Sequence, residues 1–298
     1  MKKKWYGKDT GLTARMILTV GLLILVYLVF LTILSFFLEF IFLLLFAAFF
    51  LFLQYYFADK LVLWSTGAKI VSPQEYPQLH TMVDRLCNIA DLPKPRLAVI
   101  NTPVPNAFAT GRNQKNAVVA VTTGLLNTLD ISEVEAVVGH ELTHVKNRDV
   151  LVITIASFLS TVAWFVMRFS LYSSFFRGGN RNKGAGATIL IFLVSLLVWL
   201  VSFLLIRALS RYREFAADRG SAIITGNPPA LISALLKISG KMKRVPTKDL
   251  REVEGINAFF IIPALSGESI MSLFSTHPPI EKRVERLEAM VRTLEGFR

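Results

Sequence analysis

Four stretches of the chain contain no Asp, Glu, Lys or Arg: residues 16–38, 40–58, 150–167 and 184–206. Each is close to the roughly 20 apolar residues that a helix needs to cross a bilayer core. They predict four membrane helices in two hairpins. The first hairpin turns at Glu39, with Trp5, Tyr6, Tyr55 and Tyr56 flanking it where aromatic side chains meet lipid headgroups. The second is joined by the polar linker Arg177-Gly-Gly-Asn-Arg-Asn-Lys183.

Between and after the hairpins the pattern becomes that of a soluble domain. Pro73–Asn88 has helical spacing, with Leu79, Met82, Val83 and Leu86 on one face, and His80 reads as a surface residue there. Arg96–Asn101, Asn106–Gly111 and Ala117–Thr122 are short, β-prone and bounded by Pro, Asn and Gly. They predict a small sheet of about three strands. Ser132 and Glu135 have capping-box spacing, opening a helix with Val134, Val137, Val138, Leu142 and Val145 on its apolar face. Gly226-Asn-Pro-Pro229 divides Gly220–Leu236 into two short helices, and Ile280, Val284, Leu287, Val291 and Leu294 form the stripe of a final one. The expected fold is mainly α with a small β-sheet, in five parts: a basic segment 1–15, a hairpin 16–58, a soluble part 59–149, a second hairpin 150–206 and a soluble part 207–298.

Composition agrees. Across 298 residues, 53% are hydrophobic and only 18% charged, against about 25% charged in a soluble domain. The deficit lies in the four runs, which excludes a plain soluble globule, a disordered chain and a disulfide scaffold. The single Cys87 permits no internal disulfide or multi-thiolate metal site and reads as core filling. The net charge of +12 fits an anionic membrane surface better than nucleic acid, because no basic patch interleaves with stacking aromatics. Lys2, Lys3, Lys4, Lys8 and Arg15 precede the first span and no Lys or Arg lies in its turn, so the N-terminus is expected in the cytoplasm. The run after this basic start is too long for a signal peptide, which makes it a retained anchor. The cations of the second linker oppose the charge rule. The second hairpin either follows the first or packs without crossing.

The candidate chemistry is His140-Glu141-Leu142-Thr143-His144. On a helix, positions i and i+4 share a face one turn apart, so two imidazoles can converge on one zinc ion. Glu141 falls on the neighbouring face, within reach of a water but not of the metal, where a general base belongs. A third ligand is required. Glu214 and Asp218 also stand four apart on a helix, and there the Glu can be a ligand with the Asp fixing a histidine tautomer. Spacing alone equally allows surface ion pairs with Arg211, Arg213 and Arg219. His277, stiffened by Pro278 and Pro279, is a candidate partner for a developing oxyanion or simply a loop histidine.

The run His140-Glu-Leu-Thr-His-Val-Lys-Asn-Arg-Asp149, a membrane hairpin, then Glu214-Phe-Ala-Ala-Asp218 and Thr276-His-Pro-Pro279 resembles the HtpX type of the M48 membrane zinc metalloproteases. The resemblance runs nearly end to end, through the anchor hairpin and Pro-Asn106-Ala-Phe-Ala-Thr-Gly111. It implies a gluzincin-like protease domain split between 59–149 and 207–298, with one zinc ion per chain and Glu214 as its third ligand. It further implies an endopeptidase acting on misfolded or damaged membrane proteins at the cytoplasmic face of the cell or inner membrane, in quality control and stress response. It makes Asn106, Ala107, Phe108, Ala109, Thr110 and Gly111 an edge strand for extended substrate. Expected partners are polypeptides and the lipid bilayer, not nucleic acid, with a homo-oligomer left open.

Other functions fit less well. A non-catalytic, zinc-stabilised scaffold or chaperone has no need of Glu141. A protease with its metal inside the bilayer would carry the motif in an apolar run, whereas Glu133, Glu135, Lys146, Arg148 and Asp149 surround it. A transporter would need ionisable groups in its spans, and the four runs hold none. Met242–Glu268, mixed in character, is the candidate lid. Since His144 and Glu214 must meet on one side of the membrane, an even number of spans separates them.

Overall fold

The computed structural model describes residues 9–35, 40–176, 185–242 and 277–295. The linker 177–183 and most of the candidate lid lie outside these. Helices α1 (Thr10–Ser35) and α2 (Phe40–Thr66) form the first apolar pair; α6 (Asp149–Phe176) and α7 (Ala185–Thr225) form the second. Among the described residues α1, Asp149–Arg168 and Gly186–Thr225 are long and apolar enough to cross a membrane, and Ala48–Phe57 of α2 is a shorter apolar stretch.

These helices bury one face against each other and leave the rest open. Leu23, Phe30 and Leu34 of α1 pack with Phe158, Val162 and Ala163 of α6 and Val198 of α7. The Tyr27 hydroxyl donates to the Ala156 carbonyl across this interface at 2.5 Å. Ile17, Leu28, Ile189 and Leu197 are exposed. A helix apolar all round, packed on one side only, has found a solvent for the other side in lipid.

The soluble part is built on a four-stranded sheet, one strand more than the sequence pattern predicts. Strands β1 (Lys69–Ile70), β2 (Arg96–Ile100), β3 (Ala107–Thr110) and β4 (Val118–Thr122) run in the order β1-β2-β4-β3. β2 and β4 are parallel, and the outer strands β1 and β3 are antiparallel to them. β1 is two residues long, too short for an alternation signal to register. β3 is an edge strand of this sheet.

Helix α3 (Pro77–Ala90) buries Leu79, Met82, Val83, Leu86 and Cys87, the expected stripe. His80 is not a surface residue. It is 8% exposed, and its Nε2 lies 3.2 Å from the Val71 carbonyl, which draws it under the chain leading out of β1. Burial pushes the Cys87 thiol up to about 11, with Asp84 adding to the shift, so it is inert filling rather than a reactive thiol.

After the short helix α4 (Thr123–Thr128) comes α5 (Ile131–Asn147), which carries the zinc motif. Its capping box is Asp130 with Glu133, not Ser132 with Glu135. The Glu133 carboxylate accepts from the Asp130 N–H at 2.8 Å and also holds Ser233 and Lys237 of α8 (Pro228–Met242). Glu135 instead pairs with Arg85. The same spacing occurs twice, two residues apart, and the tertiary partners decide which one caps.

The largest departure is α7. Gly220–Leu236 is not two separate short helices: its second part opens α8 at Pro228, as expected. Its first part ends a single 41-residue helix that begins in the apolar run. At 1.5 Å per residue this rod is roughly 60 Å long, enough to cross a bilayer core and continue through the soluble domain.

The lower part of α7 lies tight against α5. An added Cβ at Gly220 would stand 2.3 Å from Thr143 Cγ2 and 2.9 Å from Thr143 Cβ. Rotating the threonine therefore gives no relief. Beside it the Ser221 hydroxyl donates to the Ala136 carbonyl at 2.5 Å. Gly220→Ala is expected to cost about 1–3 kcal/mol and to lower metal affinity by displacing α7 from α5. Thermal unfolding and zinc titration of the variant measure both, and an unchanged melting temperature would refute this account of the contact.

Candidate metal centre

Helix geometry brings His140 and His144 together. Their Nε2 atoms are 3.1 Å apart. Glu214 of α7 completes a triangle, with Oε2 3.5 Å from His140 Nε2 and Oε1 3.4 Å from His144 Nε2. Four ligands placed tetrahedrally at the 2.0–2.1 Å of zinc sites have edges of roughly 3.3–3.4 Å. The three donor groups already have that spacing.

The groups that face the other ring nitrogens suit the same fit. His140 Nδ1 lies 3.0 Å from Asp218 Oδ1, and His144 Nδ1 lies 2.6 Å from Asp149 Oδ2. Carboxylates on both Nδ1 atoms hold the protons there. Both Nε2 lone pairs then point into the same small space, an arrangement that repels itself unless a cation lies between them. Burial lowers the basicity of both imidazoles, but the facing carboxylates more than offset it, and both titrate above the usual histidine value.

Glu214 and Asp218 lie beyond the apolar stretch of α7, which ends at Ile206. They are 6% and 2% exposed, so the surface ion-pair alternative is set aside. Burial would raise the Glu214 carboxyl, yet His277, His140 and His144 hold it well below the usual range. Asp218 is lowered too, chiefly by the Arg283 guanidinium acting against burial.

Arg283 comes from the last described helix, α9 (Ile280–Glu295), and is 1% exposed. It donates to both Asp218 oxygens at 2.8 and 2.6 Å and stands 3.5 Å from Glu214 Oε2. The rear of the site is thus a chain of charge-assisted contacts, Arg283 to Asp218 to His140. A second chain runs from Arg213 to Asp149 to His144, where Arg213 also donates to the Asn147 carbonyl. Sequence reasoning assigned no role at the site to Arg283 or Asp149, and offered Arg213 only as a surface ion-pair partner of Glu214 or Asp218, whereas it pairs with Asp149. For Asp149 a signal existed, since it lies just past the zinc helix, where α6 begins. For Arg283 there was none.

His277 is 7% exposed, and its Nδ1 lies 3.0 Å from Glu214 Oε2. The structure therefore brings it to the Glu214 carboxylate. Glu141 is 4% exposed. Burial raises its carboxyl above the usual value; His144 and His140 oppose this, as does the backbone N–H of Ala109 in β3. The zinc helix and the edge strand thus meet at the candidate base. Of the strand residues, Asn106, Ala107, Phe108 and Thr110 are buried. The Asn106 N–H donates to Thr122 Oγ1 at 2.9 Å, which anchors the start of the strand.

Comparison with known proteins agrees with this geometry. The family model described as "Peptidase family M48" matches residues 73–291. "Protease HtpX homolog 2" of Methanosarcina mazei is 62% identical over 291 residues, covering 97% of this chain and 98% of the relative. "Protease HtpX homolog" of Moorella thermoacetica is 58% identical over 298 residues, covering 99% of this chain and 100% of the relative. The crystal structure of S. mikatae Ste24p matches with a TM-score of 0.56 at 18% identity, over 88% of this chain and 62% of that longer one, a likeness of fold. The chain belongs to peptidase family M48 and is a membrane metalloprotease of the HtpX type.

Proposed function

We propose that the chain binds one zinc ion through His140, His144 and Glu214 and hydrolyses peptide bonds of misfolded or damaged membrane proteins at the cytoplasmic face. The convergence of three donor groups carries the reading, with the two Nε2 atoms 3.1 Å apart and the Glu214 oxygens Oε2 and Oε1 at 3.5 and 3.4 Å from His140 and His144. When bound, the ion supplies Lewis-acid chemistry, activating water near neutral pH and polarising the scissile carbonyl. Glu141 takes the proton of the attacking water and delivers it to the leaving amine. Asp218 and Asp149 hold the two imidazoles in the ligating tautomer. His277 steadies Glu214 and is positioned to meet the developing oxyanion.

Substrate adds to the outer edge of β3, Asn106 to Gly111. Main-chain pairing gives affinity with little sequence preference, and only an unfolded, extended chain can offer it. That selects damaged protein without reading a sequence. The membrane location follows from continuity: α6 begins at Asp149 and α7 runs from the bilayer to Glu214.

Chelation tests the metal. Treating the purified protein with a zinc chelator in detergent is expected to abolish casein cleavage, and one equivalent of zinc is expected to restore it. Cleavage that persists in chelated, metal-free protein would overturn the mechanism. Orientation is tested separately with a cysteine at exposed Gln78 in a Cys87→Ala background. An impermeant maleimide is expected to label it in inside-out membrane vesicles and not in right-side-out ones; the reverse pattern places the site on the other face.

A further inference from the structure

The strand β3 is tied to the membrane by α2. At the end of the apolar run of that helix, the Tyr55 hydroxyl donates to the Arg112 carbonyl at 2.7 Å, in the turn that follows β3. Tyrosines at such a boundary sit at headgroup level. The helix then continues to Thr66, and its Val62 and Leu63 pack with Ala68 on the sheet face formed by Ala98, Ile100, Phe108, Val118 and Ala120. The sheet is therefore held along the part of α2 that leaves the bilayer. On the other side, the Gln114 amide of the same turn donates to the Lys146 carbonyl of α5 at 3.0 Å. Turn, membrane helix and zinc helix are fastened together, so the fold fixes how far the metal site lies from the bilayer.

Three separate paths give that distance. Along β3, Arg112 at the Tyr55 contact stands three residues from Ala109, whose N–H reaches Glu141; a strand covers this in roughly 10 Å. Along α7, Glu214 lies eight residues past Ile206, the end of the apolar run, which is roughly 12 Å of helix. On α6, Asp149 touches His144 and directly precedes Val150, where the apolar run begins. Tilt of the strand or the helix can only shorten the first two. The headgroup layer extends roughly 5–7 Å beyond the hydrocarbon core, so the site opens at its outer edge. The register places the other end of the sheet away from it: Thr110, Val118 and Arg96 align at the turn end, Ala107, Thr122 and Ile100 at the far end.

We infer that the chain cuts beside the membrane: about eight extended residues next to a membrane helix suffice as substrate, and the bond broken lies about four residues from the bilayer. The inference rests on the peptidase reading and on β3 as the substrate edge, and adds where along a membrane protein the cut falls. An extended chain covers 10–12 Å with about four residues, and pairing with the rest of β3 takes about four more. A membrane protein then becomes a substrate when the segment beside one of its helices loses structure, even while its soluble domain stays folded.

The depth is tested without reference to activity. Fluorophores are attached to Lys115→Cys, exposed in the turn after β3, or to Asn101→Cys, exposed at the far end of β2, in full chain carrying Cys87→Ala. In nanodiscs containing a lipid with a nitroxide headgroup, the Lys115 probe is expected to be quenched about threefold more than the Asn101 probe, which lies about 15 Å further along the strands. Equal or weaker quenching at Lys115 overturns the inference. The cut is tested with substrates made of one membrane helix, a linker of uniform sequence and a domain too stable to unfold, built in both orders and reconstituted with the protein. A linker of about eight residues is expected to be cut at least tenfold faster than one of about four. Onset only at about 16 residues puts the site some 25 Å further from the bilayer and overturns the inference, as does equal cleavage of the four-residue linker. Casein cleavage with no cut in any tethered linker defeats this inference and leaves the peptidase reading standing. Failure to cut casein as well removes both.

Discussion

Glu141→Gln is expected to lower casein cleavage by roughly 10²–10⁴-fold while leaving zinc content and melting temperature unchanged. The substitution keeps the size of the side chain and an oxygen to accept the Ala109 N–H, so β3 and α5 stay joined. It removes only the ability to take a proton. The ligand triangle of His140, His144 and Glu214 does not include Glu141, so the metal site keeps its donors. Purified variant and wild type, with self-cleavage blocked during preparation, are compared for rate and bound zinc. Undiminished cleavage would remove Glu141 from the mechanism. Loss of zinc together with activity would leave the base untested by this variant, and Glu141→Asp would then decide, because a shortened base should retain zinc and partial activity. A wild type that holds zinc but cleaves nothing would favour the scaffold reading.

Glu214→Ala is expected to lose the metal. A histidine pair alone holds zinc poorly, and the third donor has no substitute at the same distance except His277, whose Nδ1 now faces Glu214 Oε2 at 3.0 Å. The outcome is read by zinc content after gel filtration. Full occupancy would transfer the third ligand to His277 or another carboxylate. Arg283→Met gives a graded comparison, since Arg283 acts on the site through Asp218 and Glu214 and does not itself offer a ligand atom. Loss of a group that orients a ligand typically weakens metal binding by about 10–100-fold. The same variant strands the buried carboxylate of Asp218, and breaking such a pair costs about 3–5 kcal/mol. Metal affinity and melting temperature should therefore fall together in Arg283→Met, whereas Glu214→Ala loses zinc outright.

The long apolar helices were legible because charge-free runs of bilayer length are a local property. The helix of His140 and His144 was legible for the same reason: i, i+4 spacing puts two side chains on one face wherever the helix ends up. Strands β2, β3 and β4 were marked by β-prone residues and their boundaries. The misreadings share a cause. His80 is polar in a polar stretch, and only the Val71 carbonyl makes it interior. Two capping-box spacings compete at the start of α5, and the contacts of Glu133 with Ser233 and Lys237, against that of Glu135 with Arg85, choose between them. Gly220 carries no signal of its own in the sequence, and only packing shows that α7 lies there against Thr143.

The sequence by itself determined the pair of imidazoles on one helical face, the carboxylate beside them and the apolar runs and, through its resemblance to a family, pointed to Glu214 as their partner. Periodicity and spacing act within one element, and these features need nothing more. The tertiary structure alone decided that Arg283 lies against Asp218 across 65 residues of chain, that Asp149 fixes the His144 tautomer with Arg213 behind it, and that Ala109 reaches Glu141. Those contacts join separate helices and a strand, and their distances depend on how the elements pack, which no local pattern encodes.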